Sequence, residues 1–106
     1  QLSITIDQSV NAAYIGLTGA KIARTVEVNP SCLVDLDAYD CVVGVELLDP
    51  RGATLSEIQE LVHVHSEDVE VLEQALQMIP SYAMSSGSLT TRSKVRVRPI
   101  PRSAAV

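Results

Sequence analysis

The stretch Cys32-Leu33-Val34-Asp35-Leu36-Asp37-Ala38-Tyr39-Asp40-Cys41-Val42-Val43-Gly44-Val45-Glu46-Leu47-Leu48 decides the reading of the fold. Runs 32–37 and 41–48 flank a short loop of Ala38, Tyr39 and Asp40. Alternate residues of a strand face opposite sides, so the runs read as a β-hairpin, with Asp35 and Asp37 on a solvated face and Asp40 in the turn. In the antiparallel register this loop dictates, position 41 lies opposite 37 and position 32 near 46. That spacing holds Cys32 and Cys41 apart, and they read as two reduced core thiols rather than a disulfide.

Upstream the same period of two recurs between turn residues. Residues 2–7 place Leu2, Ile4 and Ile6 opposite Ser3, Thr5 and Asp7; residues 12–18 alternate Ala13, Ile15 and Leu17 with Tyr14 and Gly16. Residues 22–28 put Ile22, Val26 and Val28 on one face with Arg24 among them, and Asn29, Pro30 and Ser31 then break the ladder. Loops this short favour antiparallel neighbours. The expectation is an N-terminal antiparallel five-strand β-meander, closed by Asp49, Pro50, Arg51 and Gly52.

Downstream the period changes. Thr54 and Glu57 match a capping box, in which each side chain satisfies a free backbone donor of the other, so a helix is expected over 55–64 with Leu55, Ile58, Leu61 and Val62 on its apolar face. Ser66 is a second candidate cap, followed by Glu67, Asp68 and Glu70 at the positive end of the dipole. That helix carries Val69, Leu72, Leu76 and Ile79 at helical spacing and closes at Pro80. Residues 81–91 are rich in Ser, Thr and Gly and read as a linker. The whole reads as α+β: one domain over 1–84, comprising a β-unit over 1–50 and a helical segment over 54–79, then a linker and basic C-terminal tail over 85–106.

The chain has 106 residues, no Trp and no Phe, so its interior is aliphatic, with Tyr14, Tyr39 and Tyr82 as the only large aromatic side chains. It contains no apolar run of the roughly 20 residues a membrane-spanning helix needs and no basic-then-apolar signal pattern. A soluble cytoplasmic protein is the expectation. Charge is divided unevenly. Up to Met84 thirteen acids face Lys21, Arg24 and Arg51, a net −10; beyond it Arg92, Lys94, Arg96, Arg98 and Arg102 stand without an acid, a net +5. Such asymmetry marks the tail as the segment that meets a partner or an acidic surface. Lys94, Arg96 and Arg98 alternate with Val95 and Val97, which fits either a solvated tail or an edge strand added to its own or a partner's sheet.

The blocks Ala12-Ala13-Tyr14-Ile15-Gly16-Leu17, Ala23-Arg24-Thr25-Val26-Glu27-Val28, Leu33-Val34-Asp35-Leu36-Asp37 and Val42-Val43-Gly44-Val45-Glu46-Leu47-Leu48-Asp49 resemble, in order and spacing, the small bacterial DUF2283 family over residues 3–50. The chain departs from that pattern at Val10-Asn11-Ala12-Ala13-Tyr14, where an acid and Ala are usual, and at Tyr39-Asp40-Cys41, where a Gly is usual. The resemblance implies a small β-rich domain without an established activity, and it implies an antitoxin-like pairing with small toxin-like proteins for some members.

Chemistry-bearing constellations are few. His63 and His65 would chelate an ion from one face of an extended strand, but at a helix end they point about 200 degrees apart, which argues against a shared metal. Asp35, Asp37 and Asp40 lack the Gly and distal bidentate Glu of a dedicated calcium loop. No nucleophile elbow, local Cys and His signature or Gly-rich phosphate loop is present, so neither catalysis nor a cofactor is expected. The expectation is a noncatalytic protein-interaction module. One helical layer leaves a sheet face with Tyr14, Val42 and Leu48 for a second copy, making a homodimer. The alternative is a nucleic-acid-associated module in which Arg92, Lys94, Arg96, Arg98 and Arg102 contact phosphates.

Overall fold

A computed structural model of the chain describes residues 2–85 and 94–97. The expected α+β arrangement is present, a five-strand antiparallel sheet followed by two helices. The strands are β1 (Ser3–Asp7), β2 (Ala12–Gly16), β3 (Arg24–Asn29), β4 (Cys32–Leu36) and β5 (Val42–Leu47). Helices α1 (Leu55–Leu61) and α2 (Ser66–Ser85) follow, and a short strand β6 (Lys94–Val97) joins the sheet last. The spatial order is β3-β4-β5-β2-β1-β6.

This order departs from a plain meander at one seam, where β2 pairs with β5 instead of β3. The backbone explains why. Val43 is an extra residue in β5 at a register shift against β4, and its carbonyl accepts from the N–H groups of both Leu17 and Thr18. The end of β2 is thereby committed to β5, and the chain passes to the far edge, where the Ala23 N–H donates to Leu36. The same shift sets Cys32 opposite Leu47, one place beyond the expected 46, while the Asp37 N–H donates to the Cys41 carbonyl as expected. Both thiols are free and buried.

Register aligns Ile4, Ile15, Val45 and Val34 across four strands, with Ile6, Ala13, Leu47 and Cys32 as the adjacent row. These rows form the inner face and are buried beneath Ile58, Val64, Leu72, Ala75, Leu76 and Ile79 from the helical segment. Aliphatic side chains on a period of two meeting aliphatic side chains on a helical period make one core, in which burying each Val, Leu or Ile is worth about 1.5–3 kcal/mol.

The capping box forms: the Glu57 N–H donates to the Thr54 hydroxyl at 3.2 Å and the Thr54 N–H to Glu57 Oε1 at 2.9 Å. Helix α1 nevertheless stops at Leu61 rather than at position 64. Val62 is extended, with φ −139° and ψ 163°, and His63 makes a parallel bridge to Cys41 in which the Val42 N–H donates to the His63 carbonyl at 3.0 Å. The bridge and the burial of Val64 outweigh another helical turn, and Leu61 is left 58% exposed instead of joining the apolar face. Helix α2 overruns its expected end at 79 because Pro80 is accommodated inside it, forfeiting one backbone hydrogen bond without ending the helix.

Candidate functional site

Two places in the described residues gather polar side chains. The first is the sheet's outer face. Tyr14 on β2 lies across Gly44 of β5 and its hydroxyl donates to Asp35 Oδ2 on β4 at 2.7 Å, while Thr25 on β3 donates to Asp35 Oδ1 at 2.6 Å. A side chain at Gly44 would collide with the Tyr14 ring, whose Cζ stands 2.6 Å from where a Cβ would be, so only glycine lets the ring span the strand. Burial, and then the carboxylates of Asp35 and Glu46, push the Tyr14 phenol well above its usual range. Of the side chains expected to cover a second copy, Tyr14 is tied to Asp35, Val42 is fully buried in the inner core and Leu48 is 46% exposed.

The second is the corner where the β4–β5 loop meets the α1–α2 junction. Asp37 holds the loop, its Oδ1 accepting from the N–H groups of Tyr39 at 2.8 Å and Cys41 at 3.0 Å. Asp40 takes the left-handed conformation at φ 63°, the position where a glycine serves in a three-residue hairpin loop, and its carboxylate pairs with Arg24 at 2.9 Å. Cys41 follows, buried to 8% exposure, with its sulfur 3.7 Å from the Tyr39 carbonyl. Across the bridge stand His63 and His65, both exposed, with ring centroids 5.9 Å apart and Val64 between them turned into the core.

Because residues 62–65 are not helical, with Val62 extended and His63 bridged to Cys41, the two histidines come together instead of diverging, and the geometric objection to a shared ion is removed. Sγ of Cys41 and a ring nitrogen of each histidine all lie within 4.8 Å of one another. Sequence reading missed Cys41 as their companion. The available signal was the alternation Val62-His63-Val64-His65, which has a strand's period.

The electrostatics of this corner are acidic. Hydrogen bonds from the Cys41 and Tyr39 backbone and the charge of His65 hold the Asp37 carboxyl below its ordinary value against a partial loss of solvent. Burial, then Asp37 and Asp40, raise the Cys41 thiol. The other thiol, Cys32, is pushed up to about 11 by burial and by Glu57. Beside the corner lies a cleft of about 440 Å³ lined by Arg24, Leu36, Asp40, Glu60 and His63 among others. The three acids once grouped by sequence are divided: Asp35 serves the outer face, while Asp37 and Asp40 serve the loop.

Of the basic residues singled out in the tail, Lys94 and Arg96 fall within β6, which pairs antiparallel with β1 so that Lys94 sits opposite Asp7, Val95 opposite Ile6, Arg96 opposite Thr5 and Val97 opposite Ile4. Arg92, Arg98 and Arg102 lie outside the described residues. Among the described residues no helix is long and apolar enough to cross a membrane.

Residues 3–50 match the model of a family described as a protein of unknown function, DUF2283, so the matched segment ends just after β5 and covers β1 through β5. No curated protein and no solved structure matches the chain.

Proposed function

We propose, with a family-matched β-unit and an edge that accepts a strand as the premise, that this chain is a noncatalytic protein-interaction module. It acts as a homodimer, and its basic C-terminal segment meets a protein partner; an antitoxin-like pairing is the most concrete form of this reading. The observation that supports it is the pairing of β6 with β1. An open sheet edge offers a row of backbone donors and acceptors, and one that takes a strand from its own chain offers the same row to a strand from another. The alternation of Lys94 and Arg96 with Val95 and Val97 in the sequence has the period of two that such a strand requires.

The test is a pull-down from host lysate that compares the full chain with one ending at Ser86, each with and without nuclease. A discrete protein retained only by the full chain and indifferent to nuclease is expected, together with sedimentation as a dimer at micromolar concentration. Recovery that vanishes with nuclease and falls steeply with salt would replace this reading with phosphate contact by the basic residues. A purely monomeric species would remove the homodimer from it.

A further inference from the structure

We propose that Cys41, His63 and His65 form a binding site for a borderline-soft divalent transition-metal ion, with Zn²⁺ the best fit. The inference stands apart from the interaction reading and shares no residue with it. One thiolate and two imidazoles are the donor set such ions select over Mg²⁺ or Ca²⁺, which require oxygen ligands. Zn–S and Zn–N bonds of about 2.3 and 2.0 Å place tetrahedral ligand atoms about 3.5 Å apart. The three donors here already lie within 4.8 Å of one another, and ordinary side-chain rotations bring in the remainder.

The fold holds the donors from independent directions. Cys41 is fixed by the Asp37-braced loop, and the His63 backbone is fixed by its bridge to that same residue. His65 is fixed by the burial of its neighbour Val64 and by its carbonyl, which accepts from the Asp68 N–H at the start of α2. A metal here would therefore join the β-hairpin to the break between the two helices. The carboxylates of Asp37, which accepts from the Cys41 N–H, and of Asp40, its neighbour in the chain, favour a cation at this corner. His63 also lines the 440 Å³ cleft, which gives an entry path and leaves a fourth position to water or a further ligand.

The experiment titrates the tag-free full chain with Co²⁺, a spectroscopic stand-in for Zn²⁺, followed by competition with Zn²⁺ and by metal analysis after dialysis. One ion per chain is expected, with a thiolate-to-cobalt charge-transfer band that Zn²⁺ abolishes and excess Mg²⁺ does not. Cys41→Ser removes the band, whereas Cys32→Ser retains it. His63→Gln and His65→Gln, at exposed positions that leave the fold intact, each weaken binding by more than about 10-fold. Absence of a charge-transfer band at micromolar protein, a band that survives Cys41→Ser, or Co²⁺ affinity unchanged in both histidine variants would each overturn the proposal.

Discussion

The outer face of the sheet and the corner at Cys41 both collect groups able to bond, but they do so in opposite senses. On the outer face two donors find one acceptor within the sheet: the hydroxyls of Tyr14 and Thr25 both end on Asp35. At the corner, three lone-pair donors converge on one point beside a cleft, and two of them belong to exposed side chains. Polar groups that satisfy each other stabilise a fold, whereas polar groups that converge on a common point await a third party. The difference arises from backbone geometry, since a continuous ladder aligns partners across strands and an interrupted helix brings unrelated segments together.

The sharpest break of this contrast is Gly44→Ala. The added methyl displaces the Tyr14 ring and its bond to Asp35, and a loss of about 3 kcal/mol is expected in urea denaturation, with an unchanged m-value. In a Tyr14→Ala background most of that cost should vanish, and additivity of the two would show that the ring is not what demands the glycine. Tyr14→Phe keeps the ring and removes only the hydroxyl, for an expected loss of about 1 kcal/mol by the same measurement.

Alkali weakens the fold through groups whose pKa is raised, and acid through one whose pKa is lowered. Tyr14 and Cys32 have raised folded pKa values, Cys32 from 9.0 to about 11, so the stability they contribute is complete below the unfolded values and is lost as pH rises toward the folded ones. A thermal melt series should therefore decline above about pH 9, less steeply in Tyr14→Phe. Asp37 has a lowered folded pKa, so its contribution is present above the ordinary value of 3.8 and is lost as pH falls through the folded one. Asp37→Asn should flatten that acid limb. The smallest effect is expected of Asp40→Gly, which relieves a left-handed residue but removes an exposed ion pair with Arg24; the net change in denaturation midpoint should lie within about 0.5 kcal/mol of zero.

What the sequence disclosed was whatever neighbours in the chain decide. The alternation of Ile4 and Ile6, the hairpin around Asp40, and the Thr54–Glu57 capping box all act over a few residues, and all are present. What it concealed depends on distant partners. The β2–β5 seam hangs on the carbonyl of Val43 receiving Leu17 and Thr18, and no local pattern announces it. Helix α1 yields after Leu61 because Val42, far upstream in the chain, captures the His63 carbonyl. The second bears on the candidate site, since the corner forms where α1 gives way after Leu61 to a bridge between His63 and the distant Cys41.

The sheet order also has a kinetic reading. Strands β1 and β2 form one hairpin, and β3, β4 and β5 form a second unit of successive hairpins; each is assembled from contacts near in sequence. The seam that joins them pairs Gly16 with Gly44 and must close the loop between, so it carries the entropic cost that local hairpins avoid. Folding should then be limited by the meeting of two preformed halves. Truncating Val45 at the seam is expected to slow refolding, whereas truncating Val26 on the outlying β3 is expected mainly to speed unfolding.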